Sequence, residues 1–182
     1  MVVRARAYLS EFIGAYALLL VGVGVIVTNA IAGKAGVGPV GIAFAHGLVI
    51  AAVASAVGPI SGGHFNPAVT ISALIGKRIG ILDAIAYIVV QALGAWLAVW
   101  TVVQTMDMNS ILAVNYGTPA INDIGDEQRA LILEALFTFF LCFVVYGTAF
   151  FRRAPKVGAL YVGFAIAMAG LAIGPLTGAS IN

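Results

Sequence analysis

Two asparagines, two glutamates and two histidines are the polar residues whose positions invite a chemical reading in a chain that is otherwise mostly apolar. Asn66 and Asn182 each close a nine-residue stretch, GPISGGHFN at 58–66 and GPLTGASIN at 174–182. Gly, Pro, Gly and Asn recur in register, Ile pairs with Leu, Ser with Thr, and Phe with Ile. The chemistry on offer is not covalent. Cys142 is a single thiol without a Cys–His arrangement, and His46 and His64 have no metal-ligand spacing, so neither a metal site nor a cofactor is expected. Extended backbone through Gly62, Gly63 and His64, and again around Gly178 and Ser180, would instead present a ladder of carbonyl oxygens. The Asn66 and Asn182 amides would offer donors to a passing oxygen.

Those loops need support. Glu11 and Glu134 stand near the starts of two apolar runs, and a carboxylate within a membrane span costs roughly 2.5–3.5 kcal/mol on insertion scales, so it faces a partner or a cavity. The favoured reading is that each accepts backbone N–H groups from the loop of its own half; a proton-relay acid is the alternative. His64 lies within its loop and is read as holding it by hydrogen bonding. His46 sits mid-span in AFAHGL, either as a satisfied core residue or as a pore-facing polar group. Asn66-Pro67 reads as a helix start, because Asn is a strong N-cap and Pro at the first helical position loses no needed N–H.

The positioning elements follow from composition. The chain is 62% hydrophobic and only 9% charged, against about 25% charged in soluble domains. That describes an all-α, polytopic membrane protein in contact with the lipid bilayer. A net charge of +2 over 182 residues gives no footprint for nucleic acid. Windows near 8–31, 40–57, 82–103, 130–151 and 158–176 are long enough to span. The segment 67–75 is too short, which gives five full spans and one re-entrant half-helix. A cleaved signal peptide is the competing reading of the N-terminus, but the first run is nearer the length of a span.

Basic residues set the orientation. Arg4 and Arg6, then Lys77 and Arg78, then Arg152, Arg153 and Lys156 all fall on one side, which the positive-inside rule makes cytoplasmic, with the N-terminus inside. The polar connection at 106–128, carrying Asp107, Asp123, Asp126 and Glu127, then lies outside. Three spans per half is an odd number, so the second half is upside down relative to the first. The chain reads as one domain: repeat one at about 1–105, the connection, and repeat two at about 129–182. Inverted repeats bring their unwound segments together near the midplane.

SGGHFNPAVT at 61–70 resembles the first signature loop of the aquaporin or major intrinsic protein family, and Glu11 and Gly14 of EFIG, Gln91 and Glu134 are similar to its other marks. The resemblance implies six spans and two half-helices per protomer, a pore in each protomer, and a homotetramer in the cell membrane. It implies that Asn66, Pro67, Ala68 and Asn182 form the pore centre, and that His46, Gly170 and Ala179 belong to a narrower outer filter. The family's fourth filter position, an Arg three residues beyond the second Asn, falls past Asn182, and the natural protein is expected to continue there. Water-specific members have Phe and His where this chain has His46 and Gly170. Glycerol facilitators share the Gly, and some plant vacuolar members that pass ammonia or urea share the His. The resemblance therefore implies a passive channel for water and small uncharged solutes such as glycerol, urea or ammonia, excluding ions and protons.

Three other functions compete. A secondary transporter also uses inverted repeats and broken helices, but no paired intramembrane acid and base is visible. A non-conducting structural protein of the same fold would need a plugged filter, against which the small Gly170 and Ala179 argue. An enzyme is the weakest, since no nucleophile–base pair can be read.

Overall fold

A computed structural model describes residues 2–121, 126–151, 155 and 157–182. The basic cluster Arg152, Arg153 and Lys156, and Asp123 of the connection, lie outside the described residues.

The described chain is helical, with no strand among those residues. Helix α1 runs Val2–Ala32, α2 Gly38–Ser61, α3 Pro67–Ile75, α4 Ile81–Thr105, α5 Met108–Ala113, α6 Glu127–Val145 and α7 Gly158–Thr177; α6 continues through a π-helical turn at Tyr146–Phe150. Five of these helices are long and apolar enough to cross a membrane. The half-helix α3 begins where Asn66 caps it: the Asn66 side chain accepts from the Val69 N–H at 3.0 Å and Pro67 takes the first helical position. Such a cap contributes about 1 kcal/mol.

Two differences from the sequence reading are physical. The nine-residue motifs are not loops throughout, because their first four residues form the last turns of α2 and α7, with Pro59 and Pro175 inside those helices. Membrane helices tolerate such prolines where neighbours support the backbone. The loops proper are therefore only 62–66 and 178–182. The connection also contains a helix, α5, whose Ile111 is fully buried against Val23, Val27 and Val102. Asp107 caps α5; the backbone N–H and hydroxyl of Ser110 both donate to its carboxylate and hold its pKa below the usual carboxylate range.

Packing is closest where side chains are smallest. Helix α2 lies along α7 with Gly47 against the Gly163 carbonyl and Gly163 against the Gly47 carbonyl, a seam that a single methyl at either position would open. Close backbone approach through small residues is how membrane helices associate without a hydrophobic drive between them. Helix α4 packs on α1 in the same way, with Gly94 on the Phe12 carbonyl. Outward faces of α4 and α6 stay apolar and exposed, including Trp96, Trp100, Leu136 and Phe143. The α2–α7 seam is antiparallel, Gly47 meeting Gly163 and Ala43 meeting Gly170, so the loops that follow these two helices enter the protein from opposite ends.

Candidate functional site

The loop after α2 is set by backbone geometry that few residues tolerate. Gly62 and Gly63 have φ of 95° and 66°, and Phe65 has φ of 49°. The loop after α7 repeats the pattern, with Gly178 at 85°, Ala179 at 49° and Ile181 at 40°. A β-branched residue at positive φ is a strained position that its surroundings must enforce.

Those surroundings are the two glutamates. Glu11, with no exposed surface, accepts the His64 N–H at 3.0 Å and the Phe65 N–H at 2.7 Å. Glu134 accepts the Ser180 N–H at 3.1 Å and the Ile181 N–H at 2.7 Å, and the Thr177 hydroxyl donates to it as well. Ser61 and Thr177 play matching parts: the Gly63 N–H donates to the Ser61 hydroxyl at 3.1 Å and the Ala179 N–H to the Thr177 hydroxyl at 3.2 Å. In both loops N–H groups thus turn away from the centre toward these supports. Gly14 of α1 leaves the space in which the Phe65 ring sits.

The first loop has further supports. Gln91 donates to Glu11 at 2.8 Å and to the Thr70 hydroxyl at 3.1 Å, and the His64 ring pairs with the same hydroxyl at 3.1 Å. The Tyr87 hydroxyl donates to the Ser61 carbonyl at 2.7 Å. His64 is buried and also meets the rings of Tyr87 and Phe150.

The two loops meet at the centre. The Asn66 amide donates to the Ile181 carbonyl at 3.0 Å across 115 positions of sequence. Beside it lies an enclosed cavity of about 20 Å³, with Gly63, His64, Phe65 and Asn66 on one side. Leu18, Ile50, Leu141, Val145, Val162 and Ile166 face them. About 10–15 Å³ is the least such volume that holds a water, so the cavity has room for about one. A second, open groove of about 530 Å³ runs along α6 between Ala68, Glu134, Cys142 and Asn182.

The remaining sequence-predicted residues fall as follows. Pro67 and Ala68 start α3, and Ala68 lines the open groove together with Asn182. His46 is partly buried on α2, its Nδ1 2.8 Å from the Ile42 carbonyl and its Nε2 directed over Gly22 of α1. Gly170 lies in the α2–α7 seam, where an added Cβ would stand 2.9 Å from the Ala43 Cβ. Ala43 is three residues before His46, so Gly170 meets the same face of α2 about 4.5 Å along the helix from His46. Ala179 packs against the core formed by Ile50, Phe65 and Ile173. Tyr87 and the Ile181 carbonyl were not singled out from sequence, because a lone Tyr in an apolar helix and a main-chain acceptor leave no local signal. No metal-ligand cluster occurs among the described residues.

Comparison with known proteins gives a consistent set. The family described as "Major intrinsic protein" matches residues 1–182. A "Glycerol uptake facilitator protein-like 6" of Lactiplantibacillus plantarum is 37% identical over 97% of this chain and 79% of its own length. Aquaporin Z of Photorhabdus laumondii is 32% identical, covering 97% of this chain and 80% of its own. Rat Aquaporin-5 is 35% identical over 78% of this chain, which spans about half (53%) of that relative. In fold, the chain is similar to the aquaglyceroporin of Plasmodium falciparum, with a TM-score of 0.84 at 20% identity over 97% of this chain and 75% of that one.

Proposed function

The chain belongs to the major intrinsic protein family, and from that premise we propose that it is a passive pore passing water and small uncharged solutes while excluding ions and protons. The observation that carries this reading is the meeting of the two loops, where the Asn66 amide donates to the Ile181 carbonyl, beside a one-water cavity with Gly63, His64 and Asn66 on one side and aliphatic side chains opposite, which we read as one section of a narrow passage. Such a passage strips an ion of its hydration without replacing it, which costs far more than a carbonyl ladder on one side returns. The positive end of α3 points at the same place and adds to the barrier for cations. Aquaporin-type pores are the known case of selection by diameter, lining groups and half-helix dipoles, and the same three levers operate in this chain.

We assign Asn66 and Asn182 to the pore centre and His46, Gly170 and Ala179 to an outer constriction. Glycine at 170 and alanine at 179 put no bulky side chain into that constriction, which favours a solute of the size of glycerol or urea in addition to water. The chain then forms one domain of two inverted repeats, about 1–105 and 129–182, in the cell membrane with its N-terminus cytoplasmic. Homotetramers would use the exposed apolar faces of α4 and α6 that lipid does not cover.

Osmotic shrinkage of proteoliposomes, followed by light scattering, tests the reading. Fast shrinkage with a weak temperature dependence is expected, against slow shrinkage of protein-free vesicles; lipid-like rates would sink the proposal. His46→Phe tests the filter on its own, since a side chain at Gly170 would first have to part α2 from α7. Glycerol and urea flux should fall about tenfold relative to water, the scale on which a change of pore diameter acts. An unchanged ratio would remove His46 from the filter.

A further inference from the structure

Helix α3 is tied to the second repeat at both of its ends. At its start the Asn66 amide donates to the Ile181 carbonyl at 3.0 Å. Six residues on, about 9 Å along the helix, the Tyr146 hydroxyl of α6 donates to the Ser72 carbonyl at 2.6 Å. That carbonyl also accepts the Gly76 N–H at 2.9 Å, so Tyr146 takes its second lone pair. It stands toward the negative end of the helix dipole, where a donor is favoured. Gly76, which follows α3, is fitted to the same contact. A Cβ built on it would collide with the Tyr146 hydroxyl oxygen and stand 2.8 Å from the ring carbon that bears it. Its φ of −75° is open to any residue, so it is the tyrosine and not the backbone that asks for a glycine here.

Tyr146 is where α6 departs from its counterpart in the first repeat. It stands twelve residues after Glu134, and the residue twelve after Glu11 is Val23, which packs with Val27, Val102 and Ile111 on a helix that stays regular. At Tyr146 α6 instead enters its π-helical turn, a form that occurs mostly as single turns and frequently at functional sites. The turn also carries Phe150, whose ring meets that of Tyr146 edge-on at 5.2 Å and that of His64 at 5.7 Å. We propose that Tyr146 is a positioning residue of the pore: its hydroxyl on the Ser72 carbonyl fixes α3 against the second repeat and keeps Asn66 in register with the Ile181 carbonyl. The inference rests on the channel reading above and adds a grip on the half-helix from outside the two loops. A short helix moves as a rod. With the Tyr146 bond gone, α3 keeps its middle tie, Thr70 to Gln91, and pivots there, which moves the Asn66 end against its bond to Ile181.

The test measures water efflux from proteoliposomes of the protein at several temperatures, with the folded protein per vesicle determined alongside. Tyr146→Phe keeps the ring and removes only the hydroxyl. It should lower water permeability per folded molecule about threefold and steepen its temperature dependence, as misplacing a group that binds the permeant does. A fall with the temperature dependence unchanged means fewer conducting molecules and a purely structural role, and overturns the inference; so does permeability equal to wild type. Either result leaves the channel reading standing, whereas wild-type vesicles no faster than lipid overturn both. Gly76→Ala reaches the same bond from the other side, because its methyl would displace the hydroxyl. It should reduce permeability at least as much, and adding Tyr146→Phe to it should lower permeability no further. Losses that multiply would give the two residues separate roles and overturn the proposal. Failure of both single variants to fold would make the contact one of assembly alone and overturn it as well.

Discussion

The two re-entrant loops have nearly the same backbone and very different support. Positions 62, 63 and 65 repeat at 178, 179 and 181 with φ values of 95°, 66° and 49° against 85°, 49° and 40°. Each is held by one glutamate and one hydroxyl. Yet the first loop sits in a closed side-chain network of Glu11, Gln91, Thr70, His64 and Tyr87, with Glu11 wholly buried. The second relies on a partly exposed Glu134, on Thr177, and on a proline from the connection. The same strained turn is thus enforced once by buried hydrogen bonds and once by packing from outside. Buried networks are costly to break, because every freed donor stays without water.

The largest consequence concerns the glutamates. Glu11→Ala leaves the His64 and Phe65 N–H groups and the Gln91 amide without their buried acceptor. That should cost about 3–5 kcal/mol, the range for breaking a buried charged group's partnership. Glu134→Ala frees donors that solvent reaches more easily, and about 1–2 kcal/mol is expected. Thermal unfolding of the two variants in detergent measures the gap. Equal losses would mean that the buried network adds nothing beyond the loop contacts themselves.

A smaller effect isolates the network from the glutamate. Gln91 donates to both Glu11 and Thr70, while its own Oε1 is buried without a partner. Gln91→Leu removes two hydrogen bonds, each contributing about 1 kcal/mol or somewhat more at a charged acceptor, and also removes the unpaired oxygen, so the net loss should be about 1–2 kcal/mol. Combined with Glu11→Ala, the Gln91 change should add less than it costs alone, because only its bond to Thr70 is then left to lose. Full additivity in that double mutant would show that Gln91 acts elsewhere.

Sequence alone carries much of this arrangement, and its limits are instructive. The half-helix Pro67–Ile75 is readable to the residue because Asn-Pro announces a capped start. The five spans follow from hydropathy because lipid demands about twenty apolar residues of each. The motif boundaries misread, since Pro59 and Pro175 look like breakers but sit in final turns whose neighbours hold them. Helix α5 is six residues long and shows no periodicity, so only the burial of Ile111 reveals it. The pairing of each glutamate with its own loop can be argued from cost and register. Contacts such as Asn66 to the Ile181 carbonyl, Tyr87 to the Ser61 carbonyl and Pro119 on Gly178 join distant segments, and no local pattern encodes them.

The finest test exchanges the one loop position where the copies differ by a single methyl. Gly63 and Ala179 correspond, and both have positive φ. Alanine in that region costs roughly 1–2 kcal/mol, which glycine avoids at an entropic cost of about 0.5–1 kcal/mol. Ala179→Gly therefore gains from relief of strain but loses the methyl's packing against the core, and a change within about 0.5 kcal/mol is expected. Gly63→Ala has no such offset. Its new methyl would stand 3.3 Å from the Gly58 Cα and 3.5 Å from the Ala54 Cβ, in a loop whose network cannot shift. It should cost about 1 kcal/mol or more, beyond the strain of φ alone. If the two substitutions prove mirror images in unfolding midpoint, the loops are equally yielding and the difference in their support has no energetic meaning. An alanine tolerated at 179 and refused at 63 would instead show that packing from the connection leaves the second loop the more adjustable of the two.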